Sequence, residues 1–408
     1  MSVLLGNEIS LTFLSLFLLL LFSFIGGKLF ELIKAPKVVG EIFGGMILGG
    51  SCIGLFFPEL FDSIFNGFAE QGKVLNIFYQ LGLVFLMFSS GFNTTISITK
   101  QNAKNYILLF VGATVFPMLL ALPFIGLFET NFIGTANNSF SFGVVFLISA
   151  AITSIPVISK IFFDIGMMNT KYSNMVLTVS TIQDLCLWIL LNLSISVVET
   201  GQFRIGNFLI TTALTIGLLF GAKLLEIIFI KYNIKLTKNI QSISFLVTFI
   251  VVFLLAKINI NIMYSAFVAG YIMKSLVLQD NPEVKGIKDF SMNLFIPIYF
   301  ALVGIQLDVI HNFSLIRFLL FFIVAFGVEF IGTVGTMWFT KLSRKIIYSL
   351  GITMNARGGP GIVLATTAFA YGIINIEFFT VLILTTMLSS MMAGYWLRFV
   401  KDDIKDLN

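Results

Sequence analysis

Ser180-Thr181-Ile182-Gln183-Asp184-Leu185-Cys186 stands in the middle of an otherwise apolar run from Tyr172 to Val198. An aspartate at the centre of a membrane-length helix costs about 2.5–3.5 kcal/mol even on the mildest insertion scales. Such a residue lines a water-filled cavity or a proton relay rather than lipid. This stretch therefore predicts an all-α membrane protein whose other helices serve a site at Asp184.

The composition points the same way. Of 408 residues, 58% are hydrophobic and 11% charged, which excludes an ordinary soluble domain. About thirteen apolar runs are long enough, at roughly 20 residues, to cross a hydrocarbon core. They fall near 9–33, 37–57, 74–91, 104–128, 137–166, 172–198, 206–231, 240–257, 260–279, 286–306, 314–341, 345–371 and 376–400. The 25 lysines and arginines gather on alternate loops; only Lys73, Arg204, Lys257 and Arg317 fall on the other side, and Arg357 lies within a span. The positive-inside rule then places the N-terminus outside and the C-terminus in the cytoplasm, in a cell membrane such as the bacterial inner membrane. The net charge of +5 is thus a topology signal, and no nucleic-acid partner is expected. The first run has no basic residue before it and Lys28, Lys34 and Lys37 at or after its far end, the wrong polarity for a cleaved signal peptide. Cys52 and Cys186 fall within spans and form neither a disulfide framework nor metal-ligand spacing. There is no nucleotide loop, metal cluster or nucleophile–base arrangement, so neither an enzyme nor a cofactor is expected, and no loop has the length of a soluble domain.

An internal repeat at an offset of seven spans predicts inverted topology, since an odd offset reverses the second copy in the membrane. Its most informative pair is Ala151-Ile152-Thr153-Ser154-Ile155-Pro156 in the fifth span and Asn355-Ala356-Arg357-Gly358-Gly359-Pro360-Gly361 in the twelfth. Pro156, Gly358, Gly359 and Pro360 break their helices, by removing a backbone donor or by loosening the backbone. Broken backbone at membrane depth is tolerated only where protein or water satisfies it. Two matched breaks predict helix ends and free carbonyls at the midplane, beside Asp184.

A carboxylate that takes either a proton or a cation at one place is the minimal exchanger, because each ligand displaces the other. Gln183 can offer a carbonyl oxygen to a cation but carries no proton. The pair thus has one titratable group, which predicts electroneutral exchange. Glu329, about halfway along its span, is a second proton carrier or the partner of a cation, and Arg357 is its expected counter-ion. Lys160 and Asp164, spaced i,i+4, read as an interfacial ion pair. Glu31 and Glu41 flank the second span, and His311 lies in a loop with no partner spacing.

These segments resemble the monovalent cation/proton antiporters, in the bacterial branch that includes Kef-type and Nap-type proteins and the plant cation/proton exchangers. The resemblance runs through Pro36-Lys37-Val38-Val39-Gly40-Glu41-Ile42 with Gly49-Gly50, the fifth-span motif Ser149 to Lys160, Ile296-Pro297-Ile298-Tyr299 to Gly304, and Met354 to Gly358. It implies an antiporter-like fold with two broken, crossing helices. A dimerisation scaffold of 1–99 and 237–310 would carry a transporting core of 100–200 and 311–400 through a linker helix at 201–236. The core would move as an elevator within a homodimer and exchange Na+ or K+ for H+. The family's paired motif carries over onto Gln183 and Asp184, and glutamine there is the Kef-type choice. Thr153 and Ser154 join the ion site, Asn355 and Arg357 compensate charge at the second break, and no metal is implied beyond the transported cation. Two departures stand out: Glu329 where a basic residue is usual, and Phe92-Asn93 where an acidic residue follows the third-span glycine. The nucleotide-binding domain of Kef-type proteins, with its regulation, is not expected. A ligand-gated K+ efflux channel, or a sensor or organic-solute carrier on the same fold, are the alternatives.

Overall fold

The computed structural model describes residues 4–93, 103–168, 170–201, 239–257, 260, 262–277, 286–287 and 289–404, with single positions between 206 and 228. The helices are α1 (Gly6–Leu32), α2 (Lys37–Leu48), α3 (Pro58–Phe65), α4 (Gln71–Asn93), α5 (Ala103–Phe110), α6 (Phe116–Ala121), α7 (Ile125–Phe132), α8 (Ser139–Ala150) and α9 (Ile155–Asp164). There follow α10 (Lys171–Thr200), α11 (Ile240–Ala256), α12 (Ile262–Leu276), α13 (Ile296–Ile305), α14 (Leu315–Met337), α15 (Arg344–Met354), α16 (Gly358–Ala370) and α17 (Ile376–Ile404). Among the described residues, eight helical stretches are long and apolar enough to cross a membrane. The expected span at 206–231 and the linker 201–236 lie almost wholly outside the described residues, as does the side chain of Asp164.

The chain forms two compact units: α1–α4 with α11–α13, and α5–α10 with α14–α17. The first is built on glycine-to-backbone packing. A Cβ on Gly40 would collide with the carbonyl of Gly26, one on Gly44 with that of Phe22, one on Gly45 with that of Ala301, and one on Gly304 with that of Ile42. Lipid tails are as apolar as leucine, so helices in a bilayer gain by close van der Waals approach, and small residues permit it. Glu41 is not a flanking residue: it is buried inside α2 and pairs with Lys37 at 3.1 Å, while Glu31 pairs with Lys28 at 3.2 Å. His311 does have a partner. Its Nδ1 lies 3.0 Å from Asp308, which also accepts the backbone N–H groups of Ile310 and His311. The two cysteines are free and half-buried.

In the second unit local chemistry fixes five of the helix starts. Asn138, Ser154, Thr170, Ser314 and Ser343 cap α8, α9, α10, α14 and α15 through side-chain oxygens that accept the backbone N–H three residues on. Pro156 proves to be a first-turn residue of α9, where its missing N–H costs nothing, and the break itself is residues 151–154 just before it. The second break runs from Asn355 to Arg357, and Gly358 opens α16 at φ +39°, in the left-handed region. A side chain there would be strained and would strike Ser154 and Val157, so glycine serves both conformation and close approach. At one end of this unit the loops after α7 and α16 join by backbone pairing: Gly134 donates to Ile373, Ala136 to Gly372 and Asn375 to Phe132.

Candidate functional site

Asp184 is the fourteenth residue of the 30-residue α10 and is 1% exposed. Neither of its carboxylate oxygens has a protein hydrogen-bond partner among the described residues. Gln183 beside it is fully buried, and its amide nitrogen donates to the carbonyls of Ala113 (2.8 Å) and Ala151. Each acceptor has a local cause. Ala113 lies in a π-helical turn, Val111–Val115, where the i→i+4 ladder is interrupted, and Ala151 follows the last residue of α8. Gln183 thus ties α10 to the π turn and to the first break through its nitrogen, leaving Oε1 buried and without a partner among the described residues.

The two breaks meet. Ser154 donates its backbone N–H to the carbonyl of Ala356 at 2.6 Å, and Thr153 donates its hydroxyl to the carbonyl of Met354 at 2.6 Å. Gly358, at the start of α16, donates to Ser390 Oγ of α17 at 3.1 Å. Each break therefore supplies partners for the other's orphaned backbone, as broken helices at membrane depth require. The hydroxyls of Thr153 and Ser154 are both engaged, the second as the α9 cap.

Glu329 and Arg357 form a buried ion pair, Nη2 to Oε2 at 3.0 Å, with side chains 0% and 2% exposed. The same nitrogen donates to the carbonyl of Ala325 (2.9 Å) and to Asn355 Oδ1 (3.2 Å), while Asn355 donates back to Gly351. Glu329 Oε1 accepts from Thr153 at 3.3 Å. One neutral cluster therefore braces α14 against both breaks, and the charge departure at Glu329 is balanced locally by Arg357. Among the described residues Asp184 forms no ion pair, so the two buried carboxylates differ in kind.

Several polar groups here escaped the reading of the sequence. Ser180 lies one turn from Asp184 on the same face of α10; its Oγ is buried without a partner among the described residues, as are Thr114 Oγ1 in the π turn and Thr385 Oγ1 on α17. The i−4 spacing of Ser180 was a usable signal. The π turn and the Ser390 contact had none, since neither leaves a pattern in the chain. Nearer the α10 N-terminus, Tyr172 and Thr353 share a buried hydroxyl contact of 2.8 Å.

The transmembrane sodium/hydrogen exchanger profile matches residues 16–401. The Na+/H+ antiporter NhaS4 of Synechocystis is 25% identical over 382 residues, covering 90% of this chain and 92% of that protein. K+/H+ antiporter 1 of Saccharomyces cerevisiae is 25% identical over 399 residues, and cation/H+ antiporter 19 of Arabidopsis thaliana 24% over 399. This chain spans 44% and 48% of the length of those two. The sodium–proton antiporter MjNhaP1 of Methanocaldococcus jannaschii shares the fold, at a TM-score of 0.61 and 17% identity over 98% of both chains. With the profile covering nearly its whole length, the chain belongs to the transmembrane sodium/hydrogen exchanger family of cation/proton antiporters.

Proposed function

We propose that this protein is a secondary antiporter that exchanges Na+ or K+ for H+ at Asp184, one charge for one, by alternating access. The observation that carries the proposal is a carboxylate buried midway along a membrane-length helix with no partner for either oxygen among the described residues. A group in that condition is stabilised by a proton or by a cation, and by either in the same place. Ser180 Oγ and Gln183 Oε1, buried without partners among the described residues, are the further oxygens available to a dehydrated cation, while the Glu329–Arg357 pair balances its own charge. With Glu329 held by Arg357, Asp184 is left as the one exchanging acid of the cluster, which supports an electroneutral cycle.

In this reading the unit of α5–α10 and α14–α17 is the core that carries the ion, and the unit of α1–α4 and α11–α13 is the scaffold through which two copies pair. The core moves as an elevator. The N-terminus faces outside and the C-terminus the cytoplasm, following the lysine and arginine bias.

The test is purified protein in liposomes with a trapped pH dye, given Na+, K+ and Li+ in turn. Wild type should move protons on cation addition, insensitively to membrane potential, and Asp184→Asn should not. A current under an imposed cation gradient would remove the electroneutral part. Silence with every alkali cation would overturn the antiporter and favour a sensor or an organic-solute carrier, and unsaturable flux without proton coupling would favour a channel.

A further inference from the structure

Six phenylalanines close one end of the core unit. Phe128 and Phe132 of α7, Phe142 and Phe146 of α8, Phe321 of α14 and Phe378 of α17 are each between 0% and 4% exposed. Phe146 packs on Phe128 (5.3 Å between centroids), Phe142 (6.2 Å), Phe321 (5.8 Å) and Phe378 (6.3 Å). Phe378 also packs on Phe132 (4.6 Å), Phe142 (5.7 Å) and Phe321 (5.0 Å, edge-on). The cluster begins just beyond the ion site. Phe146 is five residues before Ala151, hence about 7.5 Å along the helix axis, and Phe321 is eight before Glu329, about 12 Å. Past it lies the loop pairing of Phe132–Ala136 with Gly372–Asn375, which the proposed topology puts at the outer surface.

Three serine hydroxyls beside the rings are closed. Ser141 and Ser194 donate to each other's carbonyls at 2.9 and 3.1 Å, and Ser149 donates to the carbonyl of Phe146 at 2.6 Å. These three hydroxyls are thus each committed to a backbone carbonyl rather than left to relay a proton. The opposite end of the unit is different: it packs aliphatic and methionine side chains such as Ile158, Ile161, Met175 and Met354, and holds the Tyr172–Thr353 hydroxyl pair. The two sides of Asp184 thus differ: one holds a continuous cluster of six phenylalanine rings, the other a mainly aliphatic and methionine fill with the single Phe162–Tyr172 ring pair and the Tyr172–Thr353 hydroxyl contact.

We propose that the six rings are a proton seal: they keep the interior of the core dry between Asp184 and the loop-bridge end, so that protons leave Asp184 only by the alternating-access route. A bare ion in such a place carries a solvation penalty of tens of kcal/mol at a dielectric constant of about 4, and apolar constrictions exclude water chains by dewetting. The inference rests on the antiport reading. A side leak of protons through the core would dissipate the gradient that drives exchange, and a tight exchanger needs this path shut.

The experiment separates sealing from packing by polarity. An apolar cavity stays dry, whereas one with a hydroxyl on its wall has a partner for water. Proton leak is followed in liposomes under a preset pH gradient, without alkali cation and with a permeant anion to collapse the potential, alongside thermal stability. Phe146→Ser and Phe321→Ser should leak protons at least tenfold faster than wild type. Phe146→Ala should melt earlier without leaking, and Phe146→Leu should match wild type. Phe378→Tyr, which keeps the ring and adds a hydroxyl, guards against misfolding of the serine variants and should leak between the two extremes. Serine and tyrosine variants that lose stability but do not leak, or a leucine variant that leaks as much as serine, would overturn the seal. The leak is read without alkali cation, so a wild type that fails to exchange cations sinks the antiport reading alone.

Discussion

Glu329→Gln is the substitution that best tests how the site is held together. It removes one charge and leaves the Arg357 guanidinium buried at 2% exposure with carbonyl and amide contacts only. One charge-assisted hydrogen bond of about 1.5–3 kcal/mol is lost, and unpairing a buried ion by deleting its partner costs about 3–5 kcal/mol in total. For a unit of roughly 150–250 residues each kcal/mol moves the melting point by about 2–4 °C, so the expected drop is about 6–20 °C. Arg357→Gln should cost a similar amount. The double variant, which removes both charges, should recover most of it, with a coupling energy above about 1 kcal/mol, as for groups in one network. The assay is thermal unfolding of detergent-purified protein, with transport measured in parallel at a temperature where all variants are folded. The reasoning is refuted if Glu329→Gln melts within 2 °C of wild type yet loses proton movement, because Glu329 would then be a working proton carrier rather than a brace.

Three further outcomes follow from particular contacts. Gln183→Leu should reduce cation-driven proton flux by about 10- to 100-fold and stability by about 1–3 kcal/mol, since two buried carbonyls lose their donor; equal flux in wild type and variant would show that the clamp on Ala113 and Ala151 is dispensable. Gly44→Ala should destabilise by at least about 1–3 kcal/mol, because its Cβ would meet backbone that has no rotamer to yield, whereas Gly126→Ala, with open space around it, should be neutral or slightly stabilising. For Asp308, partial burial pushes its carboxyl up, but the hydrogen bonds from the His311 backbone, the His311 ring and the Ile310 backbone prevail and hold it below the usual carboxylate value of 3.8. A depressed folded value means the loop is stabilised above the ordinary carboxylate range and loses that support as pH falls through the lower folded value. Exchange of the Ile310 and His311 amides should therefore be faster in Asp308→Asn than in wild type at pH 7, and the difference should vanish in strong acid; a difference that persists there would discount the carboxylate as the cause.

Much of this protein was readable in its residues taken alone. Apolar run length and the lysine and arginine bias depend on the cost of putting backbone and charge in hydrocarbon, a cost each segment meets by itself. So the all-α membrane class, the burial of Asp184 in mid-helix and the existence of two matched breaks are legible in the chain. The caps are local as well: Ser154 before Ile155-Pro156 and Ser343 before Arg344 mark helix starts through contacts three residues long.

What partners those groups take was decided by tertiary structure. Whether Gln183 offers its oxygen or its nitrogen depends on a carbonyl freed by a π turn 70 residues away, and a π turn has no sequence signature. Glu329 reads as an anomaly in the chain, and only its approach to Arg357, 28 residues on, with Thr153 on the other side, turns it into a neutral brace. The break in the fifth span precedes Pro156 rather than centring on it, because the backbone of Ser154 finds its acceptor on Ala356 in the opposing break. Buried polar groups must be satisfied somewhere, and the sequence states the demand, but only the three-dimensional packing of distant segments assigns the donor to each acceptor.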